Sequence, residues 1–183
     1  MKMISNPVAN LSLLCCLLFF DPFTAFSQSW QKFSPPDKSL VIELPTRPNL
    51  VTNKDDSPDV LFKNVRSAYS YSANLGSGSQ ADVGIVFGVL HLSKAIGDRS
   101  FDKTVNSNML FIGGDDKDIS KQSDVSIGGF HGREFVYDKA GIDGRAIWVN
   151  GRTRVYFLIF QDSNDKTSPE TVSRIFNTFR PLR

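Results

Sequence analysis

The stretch Ile142-Asp143-Gly144-Arg145-Ala146-Ile147-Trp148-Val149-Asn150-Gly151-Arg152-Thr153-Arg154-Val155-Tyr156-Phe157-Leu158-Ile159-Phe160-Gln161 decides how this chain folds. β-Branched and aromatic residues run up to Asn150-Gly151 and resume beyond it, the pattern of two strands joined by a hairpin turn. Residues 155–160 are apolar on both parities, as a central strand covered on both faces requires. A two-residue turn at Asn150-Gly151 sets Val149 opposite Arg152, Ile147 opposite Arg154 and Arg145 opposite Tyr156. Strand alternation then places all six on one face and gathers Arg145, Arg152, Arg154 and Tyr156 near the hairpin. Guanidinium forks suit carboxylates and phosphates, and an arginine can stack on a phenol ring. These four residues are the candidate surface for an anionic ligand or an acidic partner. The plainer use of the same residues is a solvated hairpin end whose charges discourage edge pairing.

Working outward, Ser168-Pro169-Glu170 supplies an N-cap, a proline at the first helical position and an early acid. Val172, Ile175, Phe176 and Phe179 follow at helical spacing, so a final helix with one buried stripe is expected. Upstream, strand patterns occupy 60–73, 82–92 and 133–137, with a shorter one at 39–44. Residues 49–58 and the glycine-rich 74–80 read as loops. Phe101, Val105 and Met109 recur every four residues until Gly113-Gly114, which marks a second helix. Gly84 and Gly88 fall on the strand face opposite to Val83, Ile85 and Phe87, where missing side chains permit close approach of a helix or a ligand. Long strands linked by short turns, with helices inserted rather than alternating one for one, define an α+β class with an antiparallel β-sheet and flanking helices.

The N-terminus has Lys2, a polar stretch, and an apolar run over 11–20 that Asp21 and Pro22 close. A run of ten positions is too short to span a bilayer, which takes about 20. With Ala25 and Ser27 at the −3 and −1 positions, residues 1–27 read as a cleavable signal peptide, and 28–183 as a single domain beginning at Gln28. Secretion or a periplasmic location is expected, with no integral membrane segment after cleavage. Cys15 and Cys16 would leave with the signal, so a disulfide framework and a thiolate metal site are both excluded from the mature chain. A formal net charge of +2 selects no partner, and without runs of Lys or Arg nucleic acid is not expected.

The motif Trp30-x-x-Phe33-Ser34-Pro35-Pro36-Asp37, followed by Leu40-Val41-Ile42-x-Leu44-Pro45-x-x-Pro48, resembles the opening of exported bacterial proteins related to the PsbP and Mog1 fold. The close is similar as well: Arg154-Val155-Tyr156-Phe157-Leu158 precedes a helix ending in Phe176-x-Thr178-Phe179. The resemblance brackets most of residues 30–180. It implies a PsbP/Mog1-like α/β/α sandwich, in a group whose members are mostly accessory or binding proteins without a shared catalytic site, and it carries over no site residues.

Catalytic chemistry has little to start from. His91 and His131 are the only histidines, and neither has a metal-ligand spacing to another His, Cys or acid. His91 continues the parity of Val83 to Val89, at the end of a buried face where a general base could be desolvated. No Gly-x-Ser-x-Gly elbow occurs, and Gly76-Ser77-Gly78 is followed by a strand rather than the helix a phosphate loop needs. Asp115, Asp116 and Asp118, and likewise Asp162, Asn164 and Asp165, cluster in loops without the spacing of an EF-hand. No metal or cofactor is expected. The reading is an exported non-enzymatic binding or accessory module whose partner is a protein or anionic ligand of the cell envelope. The alternative is a small secreted hydrolase-type enzyme using His91 or His131.

Overall fold

The computed structural model describes residues 29–52, 62, 64–75, 83–113, 118–139, 141–163 and 167–183. The expected signal segment, the loop at 76–80 and most of the two acidic loops lie outside them. Among the described residues no helix is long and apolar enough to cross a membrane.

Seven strands form one antiparallel sheet in the order β3 (Asn49–Thr52), β4 (Val65–Asn74), β5 (Val83–Leu92), β9 (Arg154–Asp162), β8 (Ile142–Asn150), β7 (Phe130–Lys139), β6 (Ile119–Ile127). The doubly apolar strand β9 sits at the centre, as its composition demands. A three-stranded sheet joins β1 (Gln31–Phe33), β2 (Leu40–Leu44) and β10 (Arg180–Pro181), with β2 in the middle.

Alternation sorts the central sheet into two cores. Ile85, Phe87, Ile147, Val149, Tyr156 and Leu158 face Leu40, Ile42 and Leu44 of β2 and Ile175, Phe176 and Phe179 of α2 (Pro169–Thr178). Leu90, Phe135, Ala146, Trp148, Val155 and Phe157 face Phe101, Val105 and Met109 of α1 (Asp98–Gly113). Both helices form where the periodicity places them. The Ser168 hydroxyl accepts the Thr171 N–H at 3.2 Å, Pro169 opens the helix, and Ile175, Phe176 and Phe179 of the stripe are buried with Val172 partly buried against them.

The central hairpin departs from expectation in register. Val149 stands opposite Tyr156, Ile147 opposite Leu158 and Arg145 opposite Phe160. Asn150 turns its side chain into the turn: Oδ1 accepts the Arg152 N–H at 2.9 Å, while Nδ2 donates to Asp98 at 2.8 Å and to the Ile96 carbonyl at 3.2 Å. This fixes a longer connection in which Arg152, rather than Gly151, takes the left-handed conformation at φ 68°. The slip is an even number of positions, so every side chain keeps its face.

Three further differences have physical causes. Asn49–Thr52 is an edge strand, not a loop, with its register broken between Leu50 and Thr52. A Cβ on Gly88 would lie 2.0 Å from the Tyr69 carbonyl oxygen and 3.0 Å from the Phe157 ring, so this glycine admits a neighbouring strand and ring rather than a helix. Strand β6 was not anticipated, because ISKQSDVSI buries little on either face. It is set by the Gly128-Gly129 turn, where φ values of 63° and 81° match a two-residue hairpin between Ile127 and Phe130.

Candidate functional site

Arg145 sits in the middle of β8 on the face covered by α2. Glu134 on β7 lies diagonally across, because Val136 pairs with Arg145 and Glu134 with Ile147. The guanidinium reaches the carboxylate through Nε at 2.7 Å and Nη2 at 2.6 Å, both on Oε1. Ser123 on β6 offers its hydroxyl to Oε2 at 3.4 Å. The Phe176 ring lies 4.2 Å from the guanidinium carbon, a cation–π platform supplied by α2. The Glu134 side chain is 11% exposed and that of Arg145 31%, so the carboxylate is sealed beneath a cation that still meets solvent.

Above this pair lies a cleft of about 380 Å³ between sheet and helix. Val125, Ile127 and Ile147 form an apolar floor, and Phe176, Asn177 and Arg180 stand along the helix side. Arg180 donates from Nη1 to the Phe179 carbonyl at 2.7 Å. Two guanidinium groups thus line the cleft against one carboxylate.

The four residues expected to form one surface are dispersed. Tyr156 is a core residue, 1% exposed, whose hydroxyl donates to the Leu182 carbonyl at 3.1 Å. Arg154 is half-buried opposite His91 on β5. Arg152 is exposed at the hairpin tip, beside Ala95, Ile96, Gly97 and Asp98. Only Arg145 enters the cleft, because the longer turn moves its cross-strand partner from Tyr156 to Phe160. Glu134, Phe176, Asn177 and Arg180 were missed as site residues. The two-residue step between Lys139 and Ile142, with Gly141 at φ 79°, was the signal that could have placed β7, and with it Glu134, beside Arg145.

Each histidine is tied to an aspartate. His131 Nε2 lies 2.7 Å from Asp102 Oδ1 and edge-on to Phe101, which clamps the first turns of α1 to the sheet. His91 Nε2 lies 3.2 Å from Asp37 Oδ2, close enough for an ion pair but not aligned as a hydrogen bond. Asp37 also accepts the Ser39 N–H at 3.0 Å, so this contact holds the β1–β2 turn against β5. Among the described residues no hydroxyl hydrogen-bonds either imidazole. Burial, and after it the charge of Asp37 and then Tyr69, raises the Tyr71 phenol above its ordinary range.

The fold defines an α+β protein built on a mostly antiparallel sheet with two helices among the described residues. No protein-family model and no curated protein matches the sequence. Among solved structures the chain is similar to cyanobacterial PsbP (CyanoP) from Synechocystis sp. PCC 6803, at 13% identity and a TM-score of 0.56, over 85% of this chain and 94% of that one. The fold is therefore PsbP-like, and at this identity the likeness concerns fold alone. A crystal structure from Bacteroides thetaiotaomicron (9% identity, TM-score 0.45, covering 84% of this chain and 48% of that one) and a Pseudomonas aeruginosa protein of unknown function (14%, 0.35, 79% and 86%) are too distant in shape to carry an argument.

Proposed function

We propose that the chain is an exported, non-catalytic binding or accessory module, a single domain of PsbP/Mog1-like α/β/α layering released at Gln28. It takes an acidic partner or anionic ligand of the cell envelope at the cleft between the sheet and α2. The observation that carries this reading is the Arg145–Glu134 pair beneath Phe176 and Arg180: a guanidinium oriented in advance by a nearly buried carboxylate, beside an open cleft with a second guanidinium. Orienting a cation before the ligand arrives lowers the ordering cost of binding. The hydrolase alternative is less well supported, since His131 is hydrogen-bonded to Asp102 of α1, His91 meets Asp37 of a turn, and among the described residues no hydroxyl hydrogen-bonds either ring.

Arg180→Glu is the informative variant. Arg180 is exposed, whereas removing Arg145 would leave Glu134 sealed without its cation, at a cost of about 1–3 kcal/mol. Affinity capture from envelope extract by the native protein should yield a partner that Arg180→Glu loses, with an unchanged thermal midpoint. Equal capture by both proteins, or turnover in a hydrolase screen that His91→Gln or His131→Gln abolishes, would overturn the proposal.

A further inference from the structure

Strand β6 bounds one side of the cleft. Val125, Ser126, Ile127 and Gly128 line it consecutively, although only alternate side chains of a strand can face one side. Val125 and Ile127 pack on the α2 side, so Ser126 meets the cleft through its backbone. Strand β6 is outermost in its sheet, and among the described strands only β7 pairs with it. Past an irregularity between Ile119 and Lys121, that pairing runs unbroken to Ile127. The outer edge of this stretch is therefore a regular row of N–H and C=O groups, a template for another strand. The opposite edge of the sheet is blunted: β3 has four residues and a break in register.

Charge selects the kind of strand that would fit. Lys121 shares the cleft-side face of β6 with Ser123, Val125 and Ile127, while Asp124, the only acid in the strand, lies on the other face paired with Arg133. Arg145 and Arg180 stand beyond, with Glu134 already held by Arg145. An extended chain shows every second side chain to one face. A segment presenting an acidic and an apolar residue two positions apart would meet the guanidinium groups with one and the floor of Val125, Ile127 and Ile147 with the other.

We infer that β6 receives an extended acidic peptide segment of a partner protein as an eighth strand. The main chain of the segment pairs along 121–127, and an acidic side chain enters the cleft toward Arg180 and Arg145. In strand addition the main-chain hydrogen bonds supply affinity and the side-chain sites supply specificity. This deepens the binding-module reading and rests on it.

The probe is an acetylated, amidated hexapeptide alternating glutamate and valine, titrated into the intact isotopically labelled protein while amide hydrogen exchange is followed. Bound peptide should slow exchange of the outward amides in 121–127 by about tenfold or more. The glutamine-for-glutamate peptide, and separately Arg180→Glu, should each weaken binding about tenfold without moving the thermal midpoint. Unprotected amides along 121–127 at millimolar peptide, or binding indifferent to Arg180→Glu, would overturn the inference. If envelope capture depends on Arg180 while the β6 amides stay unprotected, strand addition fails and the cleft reading stands. Capture independent of Arg180 removes both.

Discussion

Tyr137 shows how one missing side chain can create a site for another. A Cβ on Gly144 would lie 2.1 Å from the Tyr137 ring, so the phenol crosses β8 over that glycine toward Gln161 on β9. Its hydroxyl is sealed from solvent without an aligned hydrogen bond. Burial raises the phenol above its ordinary 10.0, and the nearby Gln161 side chain offsets part of the effect. The folded state thus keeps its proton where the unfolded chain loses it. Stability from this residue is complete below about pH 10 and is lost as pH rises through the folded value, at up to about 1.4 kcal/mol per pH unit. Urea unfolding between pH 9 and 11 should show this decline, and Tyr137→Phe should flatten it. An unchanged slope in the variant would mean that the phenol titrates normally.

At the scale of elements, α2 has two tasks. Its Phe176 is 3% exposed, packs in the core with Ile175 and Phe179, and carries the guanidinium of Arg145 on its ring. Phe176→Ala should therefore cost about 3–5 kcal/mol in chemical unfolding, as truncation of a buried aromatic does. A loss near zero would show that the helix is not a core element. This helix was legible in the sequence because its cap, proline and stripe are all local signals. So were α1 and the strands β5 and β9, whose apolar patterns need only their own residues. Strand β6 was not, since it gains its place from β7 through the Gly128-Gly129 turn rather than from burial of its own side chains. The hairpin register was misread for a related reason: the bonds from Asn150 to Asp98 and Ile96 span more than fifty positions, and no local turn rule contains them. That single slip dispersed the expected cluster of Arg145, Arg152, Arg154 and Tyr156, while the cleft that replaced it draws on β6, β7, β8 and α2 together.

For the whole molecule, the export proposal makes a direct prediction. Intact mass of protein recovered from outside the cytoplasm should correspond to a start at Gln28 within a few residues. A full-length species held in the membrane fraction would refute cleavage. The small sheet bears on the order in which the fold closes. Strand β2 is joined on one side by β1 and on the other by β10, Leu182 donates its N–H to the Ser39 carbonyl at 2.7 Å, and Tyr156 hydrogen-bonds the Leu182 carbonyl. Synthesis delivers residues 40–44 well before residues 180–182. Strand β2, with Leu40, Ile42 and Leu44 buried, therefore gains its second neighbour only once Arg180 and Pro181 have been made. The pairing of Val41 with Arg180 joins positions 139 apart, and contacts so distant in sequence are among the slow ones to form, so the small sheet sets a late closure on the fold.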